Sequence, residues 1–265
     1  MKRLHQFSVL LTASAILFAS CSKDGGYGSN PTPTPTINKT EVKAAGDLTA
    51  ALAQFRSLIG DSLNTTPNKT SGRREINWDG VPANFTNANN FPFDFFNNTD
   101  PAGPNGRKRG LVYSNTGTSF RIDSSAFADI DASYAAEFRA FSPKKLFAYI
   151  GNNVTELTFR VAGTNTDAFV KGFGLIFSDV DDAGSTTVEY FNGTKSLGVF
   201  KVPVRNDANG FSFLGVHFPD EKVSRVKITA GNGLLANAAK DISQGGTKDL
   251  VAMDDFFYSE PLALQ

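Results

Sequence analysis

The sequence predicts a mainly β protein, an antiparallel β-sandwich of the jelly-roll type preceded by one amphipathic helix. From residue 73 onward, short runs alternate apolar and polar residues and are separated by Gly, Asn and Asp clusters, with no helices between them. In one run Leu157, Phe159 and Val161 share a face opposite polar neighbours. The chain contains 24 Phe but one Trp and six Tyr, which indicates a bulky aromatic core.

The first twenty residues read as a secretory signal. Lys2 and Arg3 form a basic start, and an apolar run over 7–18 follows that is too short to cross a bilayer as a mature helix. Small residues then precede Cys21, the one cysteine of the chain. An ordinary signal peptide beside an unrelated cysteine is the alternative interpretation.

The segment LFASC around Cys21 resembles the bacterial lipobox, although Phe18 stands where that motif usually has Leu. The resemblance implies that Cys21 becomes the lipidated N-terminus, anchored in the membrane by its acyl chains. Ser22 rather than Asp follows the cysteine, which in Gram-negative lipoproteins implies delivery to the outer membrane. The expected location is therefore the outer membrane, with the domain facing the periplasm or the cell surface.

A linker and a helix come next. Residues 21–43 are expected to form the lipidated end and a disordered linker, because Gly, Ser, Asn and alternating Pro-Thr cannot build a core. Apolar residues at helical spacing then predict an amphipathic helix over 44–63, with Asp47 as its N-cap and Gly60 near its end. Its apolar stripe is expected to pack on the β domain, and a helix that binds a partner protein is the alternative.

The β-sandwich domain is expected to cover residues 73–260. Within it, the region 84–106 is rich in Asn, Pro and Gly and too long for a hairpin, which predicts an ordered loop anchored by Phe side chains. Such loops often carry the functional residues of a rigid scaffold.

Composition excludes several functions. Basic and acidic residues balance at 26 each, so nothing favours nucleic acid as a partner. After the signal, the chain has one histidine, His217, and no cysteine beyond Cys21, which rules out Cys nucleophiles and His-Cys metal sites. Alternation places His217 with the apolar Phe211 and Phe213, as expected for a packed strand histidine rather than a catalytic base.

The acidic turn FSDVDDAG begins like a calcium loop. Asp179 and Asp181 are two apart and Gly184 stands at the sixth place, but Ala183 and Tyr190 occupy positions where an EF-hand needs oxygen ligands. A looser calcium site remains open, with Asp179, Asp181 and Asp182 as secondary candidates. A solvated hairpin turn is the favoured interpretation.

The segment LVAMDDFFY contains more demanding aspartates. Simple alternation puts Asp255 on one face and Asp254 on the other, and both faces are largely apolar. A buried aspartate needs a cation or several hydrogen-bond donors to remain charged. A Ca²⁺ ion or an arginine such as Arg73, Arg74 or Arg109 is the expected partner.

A final strand of this type resembles the closing strand of jelly-roll carbohydrate-binding modules and related galactose-binding-like domains. The resemblance implies a structural Ca²⁺ held by Asp254 or Asp255 together with an acidic residue of the first strand, for which Asp79 in REINWDGVP is the match. An Asp–Arg pair closing the sandwich is the alternative. INWDGVP together with VAMDDFFYSEP also resembles uncharacterised secreted bacterial proteins.

The aromatic candidates for glycan binding are Trp78, Tyr113 and Tyr190, although Trp78 adjoins Asp79 where core packing is expected. The expected function is a non-catalytic binding or structural domain at the cell envelope, with a glycan or an envelope protein as partner. The alternatives are a polysaccharide-active enzyme, a glycoside hydrolase or lyase on the same scaffold, and a purely structural envelope protein.

Replacement of the lipidation residue tests the anchor. We expect Cys21→Ala to move the protein from the membrane fraction to the soluble fraction of a Gram-negative host, because no acyl chain can then be attached. Globomycin should likewise block maturation of the unaltered protein, as seen by its mobility on a gel. Membrane association that persists in Cys21→Ala would contradict lipidation.

Overall fold

A computed structural model of the chain describes residues 36–114, 119–207 and 210–265. The signal peptide, Cys21 and most of the Pro-Thr linker lie outside the described residues. Those described form two seven-stranded antiparallel sheets that face each other as a sandwich, which confirms the predicted fold class.

The elements have the following bounds in chain order. The strands are β1 Thr40–Ala45, β2 Arg73–Ile76, β3 Leu111–Tyr113, β4 Phe120–Asp123, β5 Leu146–Tyr149, β6 Val154–Arg160, β7 Asp167–Phe169, β8 Gly172–Ser178, β9 Thr187–Asn192, β10 Lys195–Lys201, β11 Phe211–His217, β12 Arg225–Thr229, β13 Ala252–Ser259 and β14 Leu262–Ala263. The helices are α1 Thr49–Ile59 and α2 Tyr134–Glu137, with 3₁₀ turns at Ala83–Phe85, Asn105–Arg107 and Ile242–Gln244.

The strand order is that of a jelly roll. The first sheet runs β1-β11-β8-β13-β5-β4, with β2 added beside β13, and the second runs β10-β9-β12-β6-β7-β14, with β3 added beside β6. Eight of these strands form two four-stranded sheets of a jelly roll, in the orders β5-β13-β8-β11 and β6-β12-β9-β10. Because consecutive strands mostly belong to different sheets, the chain crosses between the sheets after most strands. The loops after β8, β10 and β12 consequently meet at one end of the sandwich.

The core between the sheets is aromatic, as the Phe count predicts. Trp78 is fully buried, with its ring stacked on Phe147 at 4.9 Å between centroids and in a T-shaped contact with Phe256 at 5.1 Å. Offset and edge-to-face pairs of this kind each add about 0.5–1.5 kcal/mol beyond the area that they bury. With no disulfide available in the described residues, this packing supplies the main stabilisation.

The helix is shorter than predicted. Only residues 49–59 are helical. The sequence predicts linker and helix over residues 40–45, but these residues form β1, which pairs with β11 at the edge of the first sheet. The predicted apolar stripe packs on the sheet through Leu52, Phe55 and Ile59, but Leu63 lies beyond the helix and is exposed. No helix in the described part of the chain is long and apolar enough to span a membrane.

Strand β13 departs from simple alternation. Met253 pairs with Phe177 of β8 and Phe256 pairs with Leu175, so β13 has one residue more than its partner between these pairs. This β-bulge switches the faces: Met253 and Phe256 both point into the main core, and Phe257 packs under α1. Simple alternation, which would put Met253 on the same face as Asp255 and Phe257, therefore fails in this strand.

The region 84–106, which we call the long loop, is ordered and anchored by Phe side chains, as predicted. Phe91, Phe95 and Phe96 are buried in the main core, while Phe93 between them is 55% exposed. Asn97 fixes the loop to the β6–β7 connection, donating from Nδ2 to the carbonyl of Thr164 at 2.8 Å. The loop thus forms a fixed surface at the end of β6, with one aromatic ring facing solvent.

Candidate functional site

The aspartates of β13 form a hydrogen-bonded acid pair. Because of the bulge, Asp254 and Asp255 reach the same partner: the Ser142 hydroxyl lies 3.2 Å from Oδ1 of Asp254 and 2.8 Å from Oδ1 of Asp255. The Phe141 N–H also donates to Oδ2 of Asp254 at 2.6 Å. Both aspartates are buried, so the predicted burial is confirmed for each.

The expected cation partners are engaged elsewhere. Arg74 forms a fully buried ion pair with Glu260 at 2.7 Å, Arg73 pairs with Glu75, and Arg109 donates to the carbonyl of Asn64. Burial, followed by the adjacent carboxyl of Asp255, raises the pKa of Asp254 to about 9. The described residues form no ion pair with Asp254 or Asp255, and the raised pKa favours a protonated Asp254.

Asp79 does not complete a metal centre with this pair. It lies near enough to Asp255 to raise the pKa of that carboxyl, after the larger effect of burial, and its own Oδ1 is buried without a hydrogen-bond donor. Within the described residues, however, Asp79, Asp254 and Asp255 are not a group whose ligand atoms all lie within 4.8 Å of one another.

A different group of carboxylates meets that distance. Glu137 of α2, Asp179 and Asp181 after β8, and Asp241 before β13 each place a carboxylate oxygen within 4.8 Å of the other three. We call these four residues the acid cluster. It could hold a metal ion, and it contains two of the secondary candidates from the sequence.

One guanidinium faces the acid cluster. Arg205, which follows β10, contacts Oδ1 of Asp179, donates from Nη2 to Oδ2 of Asp181 at 2.9 Å, and lies 3.8 Å from Oε1 of Glu137. One positive charge against four carboxylates leaves an excess of negative charge in a largely buried site. This excess is expected to be neutralised by protons or by a cation.

Within the acid cluster, the carboxyl group of Asp179 has a strongly raised pKa. Its side chain is only 1% exposed, and its Oδ2 receives no hydrogen bond from the described residues. Burial raises the pKa of Asp179 to about 10, with a further contribution from Glu137. The interpretation of this segment as a solvated turn is therefore wrong for Asp179 and holds only for Asp182, which is exposed and outside the acid cluster.

Asp249, a further buried carboxylate outside the acid cluster, supports the backbone of the cluster. Asp249 accepts hydrogen bonds from the N–H groups of Asp181 at 3.1 Å and Asp182 at 3.2 Å, and also from the Ser185 hydroxyl. Asp241 in turn accepts from the N–H groups of Ser243 and Leu250, both at 2.7 Å. These bonds fix the backbone on which the cluster is built.

Glu137 and Asp241 could not be identified from sequence. Asp241 stands before a short 3₁₀ turn and caps it, which is the ordinary reason for an aspartate at such a position. Glu137 ends a helix of four residues. The jelly-roll crossings bring these distant loops together, so a correct strand order would have been needed to find them.

The predicted aromatic binding residues are in the core. Trp78, Tyr113 and Tyr190 are at most 2% exposed, and the Tyr190 hydroxyl donates to the carbonyl of Phe173 at 2.9 Å inside the sandwich. Their rings therefore offer no face to a ligand in solution. His217, as predicted, lies in a strand, and burial lowers its pKa.

A hollow on the long loop is open to solvent. It has a volume of about 400 Å³ and a mostly polar lining; we call it the polar hollow, and its walls include Phe93, Asp94, Asn97, Asp100, Arg107 and Arg160. Its size falls within the range of small-molecule sites. Several large apolar side chains are exposed in the described residues, and Phe93 is the aromatic one among them.

The family models and the curated proteins provide no relative of this chain. No family model matches the chain, and no curated protein matches it. The acid cluster and the polar hollow are therefore interpreted from their own chemistry.

The acid pair of β13 predicts a specific pH dependence. A pKa of about 9 in the folded state, against 3.8 for the ordinary group, means that the contribution of Asp254 is full below pH 4 and lost as pH rises towards 9. Asp254→Asn keeps the acceptor for Phe141 and cannot ionise. We expect the free energy of unfolding of Asp254→Asn to fall less than that of the parent protein between pH 5 and 9, measured by urea titration.

Two comparisons control this experiment. Asp254→Ala leaves the Phe141 N–H without its acceptor and should cost about 1–3 kcal/mol near pH 4, a deficit that shrinks as pH rises because alanine, like asparagine, cannot ionise. Asp220→Asn, at an exposed aspartate, should reproduce the parent pH profile. Identical pH profiles for Asp254→Asn and the parent protein would show that Asp254 does not hold a raised pKa.

Proposed function

We propose that the protein is an outer-membrane lipoprotein whose β-sandwich binds a glycan in the polar hollow without catalysing its cleavage. The lipobox-like segment and the Pro-Thr linker support attachment to the envelope at a distance from the membrane surface. The observation that carries glycan binding is the exposed ring of Phe93 in the wall of a hollow also lined with amides, carboxylates and guanidinium groups.

The chemistry of the hollow suits a sugar. Amide and carboxylate side chains supply the hydrogen-bond donors and acceptors that hydroxyl groups need, and a flat apolar ring can cover the C–H face of a pyranose. The walls are also held in place before any ligand arrives. Asn97 is bonded to the β6–β7 connection, and the Arg107 guanidinium lies 4.2 Å above the ring of Phe95. A site formed in advance loses less conformational entropy on binding.

A polysaccharide-active enzyme is the second candidate. Asp94 and Asp100 both line the polar hollow, and paired carboxylates are what glycoside hydrolysis requires. Asp100 already accepts a hydrogen bond from the Ala102 N–H at 2.9 Å, which is a loop-forming role. We therefore favour binding without catalysis over an enzyme.

We further propose Ca²⁺ as the ion that the acid cluster holds. The ligand set consists of carboxylate oxygens alone, which hard cations such as Ca²⁺ prefer, and Oδ2 of Asp179 is buried without a hydrogen-bond donor among the described residues. A Ca²⁺ ion there would link α2, the end of β8 and the segment before β13. Its role would be structural, since the ligands are buried.

Loss of the exposed ring tests glycan binding. On a glycan array, the unlipidated Cys21→Ser protein should bind a subset of polysaccharides, and Phe93→Ala should weaken that binding at least tenfold. Val199→Ala removes an equally exposed apolar side chain on β10 and should bind normally. A blank array would favour a purely structural protein, and release of reducing ends from a bound glycan, abolished by Asp94→Asn, would favour the enzyme.

Calcium removal tests the acid cluster. We expect Ca²⁺ at a hundredfold excess over its Kd to stabilise the protein by about 2.7 kcal/mol relative to EDTA, seen as a rise in Tm. Asp179→Asn should abolish this rise, because an amide is a poorer ligand than a carboxylate. The substitution keeps a residue type that tolerates the φ of 74° at this position.

The matched control is Asp254→Asn, at a buried acid outside the cluster, which should retain the full response to Ca²⁺. Equal Tm values in Ca²⁺ and EDTA, together with no metal in elemental analysis, would contradict a calcium site and leave protons as the neutralising charge.

A further inference from the structure

A second pocket is also lined by Arg107. It has a volume of about 290 Å³ and a largely apolar floor, and we call it the arginine pocket; its walls include Val81, Phe95, Phe96, Glu75, Arg107 and Arg109. Arg107 also lines the polar hollow, so the two cavities share one side chain. A ligand with several connected units could therefore occupy both.

The charge of the arginine pocket is positive. Its carboxylate, Glu75, is already bound by two arginines from outside the pocket wall: Arg56 donates from Nε at 2.8 Å and from Nη2 at 3.0 Å, and Arg73 donates from Nε at 2.7 Å. Arg107 and Arg109, in contrast, form no ion pair with any described residue, although both are partly buried. No carboxylate of the described residues therefore lies within ion-pair distance of either guanidinium, although Glu260 is near enough to Arg109 to act on its pKa.

Both guanidinium groups are also held in position. Arg107 lies over Phe95 and donates from Nε to the carbonyl of that residue at 3.3 Å, so its two terminal nitrogens stay available. Arg109 donates from Nη1 to the carbonyl of Asn64 at 2.7 Å, which leaves Nη2 free. Fixed guanidinium donors of this kind bind a flat carboxylate better than flexible lysines do.

We propose that the arginine pocket binds the anionic group of an acidic glycan, a uronic-acid carboxylate or a sulfate ester, while the neighbouring sugar occupies the polar hollow. This inference rests on the proposed glycan-binding function and adds the ligand class.

Three matched ligands test the proposal on the unlipidated Cys21→Ser protein by calorimetric titration. They are an oligogalacturonide, its carboxyl-reduced neutral counterpart, and a sulfated form of that neutral chain. We expect at least tenfold tighter binding of one anionic ligand than of the neutral one, and the tighter anion identifies the source. The preference should weaken as salt is added.

Two variants assign the effect to the pocket. Gly80→Leu should abolish the anionic preference, since a Cβ at Gly80 meets no atom within 4 Å and the longer side chain would fill free space. Arg107→Gln should reduce the preference about tenfold. Arg139→Gln is the matched control, because Arg139 also lacks an ion pair among the described residues and lies over an aromatic ring, that of Phe211, outside the pocket.

The outcomes separate the two proposals. Equal binding of all three ligands, lost in Phe93→Ala, would overturn the arginine pocket and leave glycan binding in place. An anionic preference that Gly80→Leu leaves intact would also overturn it. Binding of none of the ligands, with a blank glycan array, would contradict the proposed function itself and this inference with it.

Discussion

The burial of β13 on both faces is the constraint on which the rest of the structure depends. This strand lies inside the first sheet, paired with β8 on one side and with β2 and β5 on the other. Phe256 and Tyr258 extend into the aromatic core, whereas Phe257 packs under α1. A strand in this position cannot keep an unpaired charge, which is why Asp254 and Asp255 depend on the bulge, on the Ser142 hydroxyl and on a raised pKa that favours a protonated Asp254.

The two ends of the sandwich perform different tasks. Val154 at the start of β6 and Thr187 at the start of β9 both neighbour Thr229, at the end where Asp179 and Asp181 leave β8. Arg160 ends β6 at the opposite end and lines the polar hollow. The crowded acid cluster therefore lies away from the proposed ligand site. A cation there would stabilise the loops of its own end, without direct contact with a bound glycan.

Prediction from sequence succeeded where side-chain periodicity carried the information. Alternation in β6 and the helical spacing of Leu52, Phe55 and Ile59 gave the sandwich and the helix face. It missed β1, because only Val42 in this edge strand is buried and the pattern is weak. It misplaced the faces of β13, since a single extra residue reverses alternation and leaves no mark in composition.

The candidate site was only partly predictable for a related physical reason. Asp179 and Asp181 are close in sequence and visible as a motif, but Glu137 and Asp241 join them only through the crossings of the jelly roll. Likewise, the positive charge of the arginine pocket depends on which arginines neutralise Glu75. That assignment depends on tertiary contacts between α1, β2 and the long loop rather than on any local pattern.

Hydrogen–deuterium exchange with and without a bound oligosaccharide would test the location of the ligand site most directly. We expect slower amide exchange in residues 93–109, where the polar hollow and the arginine pocket meet, and unchanged exchange in residues 232–249 beside the acid cluster. Protection of the acid-cluster loops with no change in 93–109 would contradict a ligand site on the long loop.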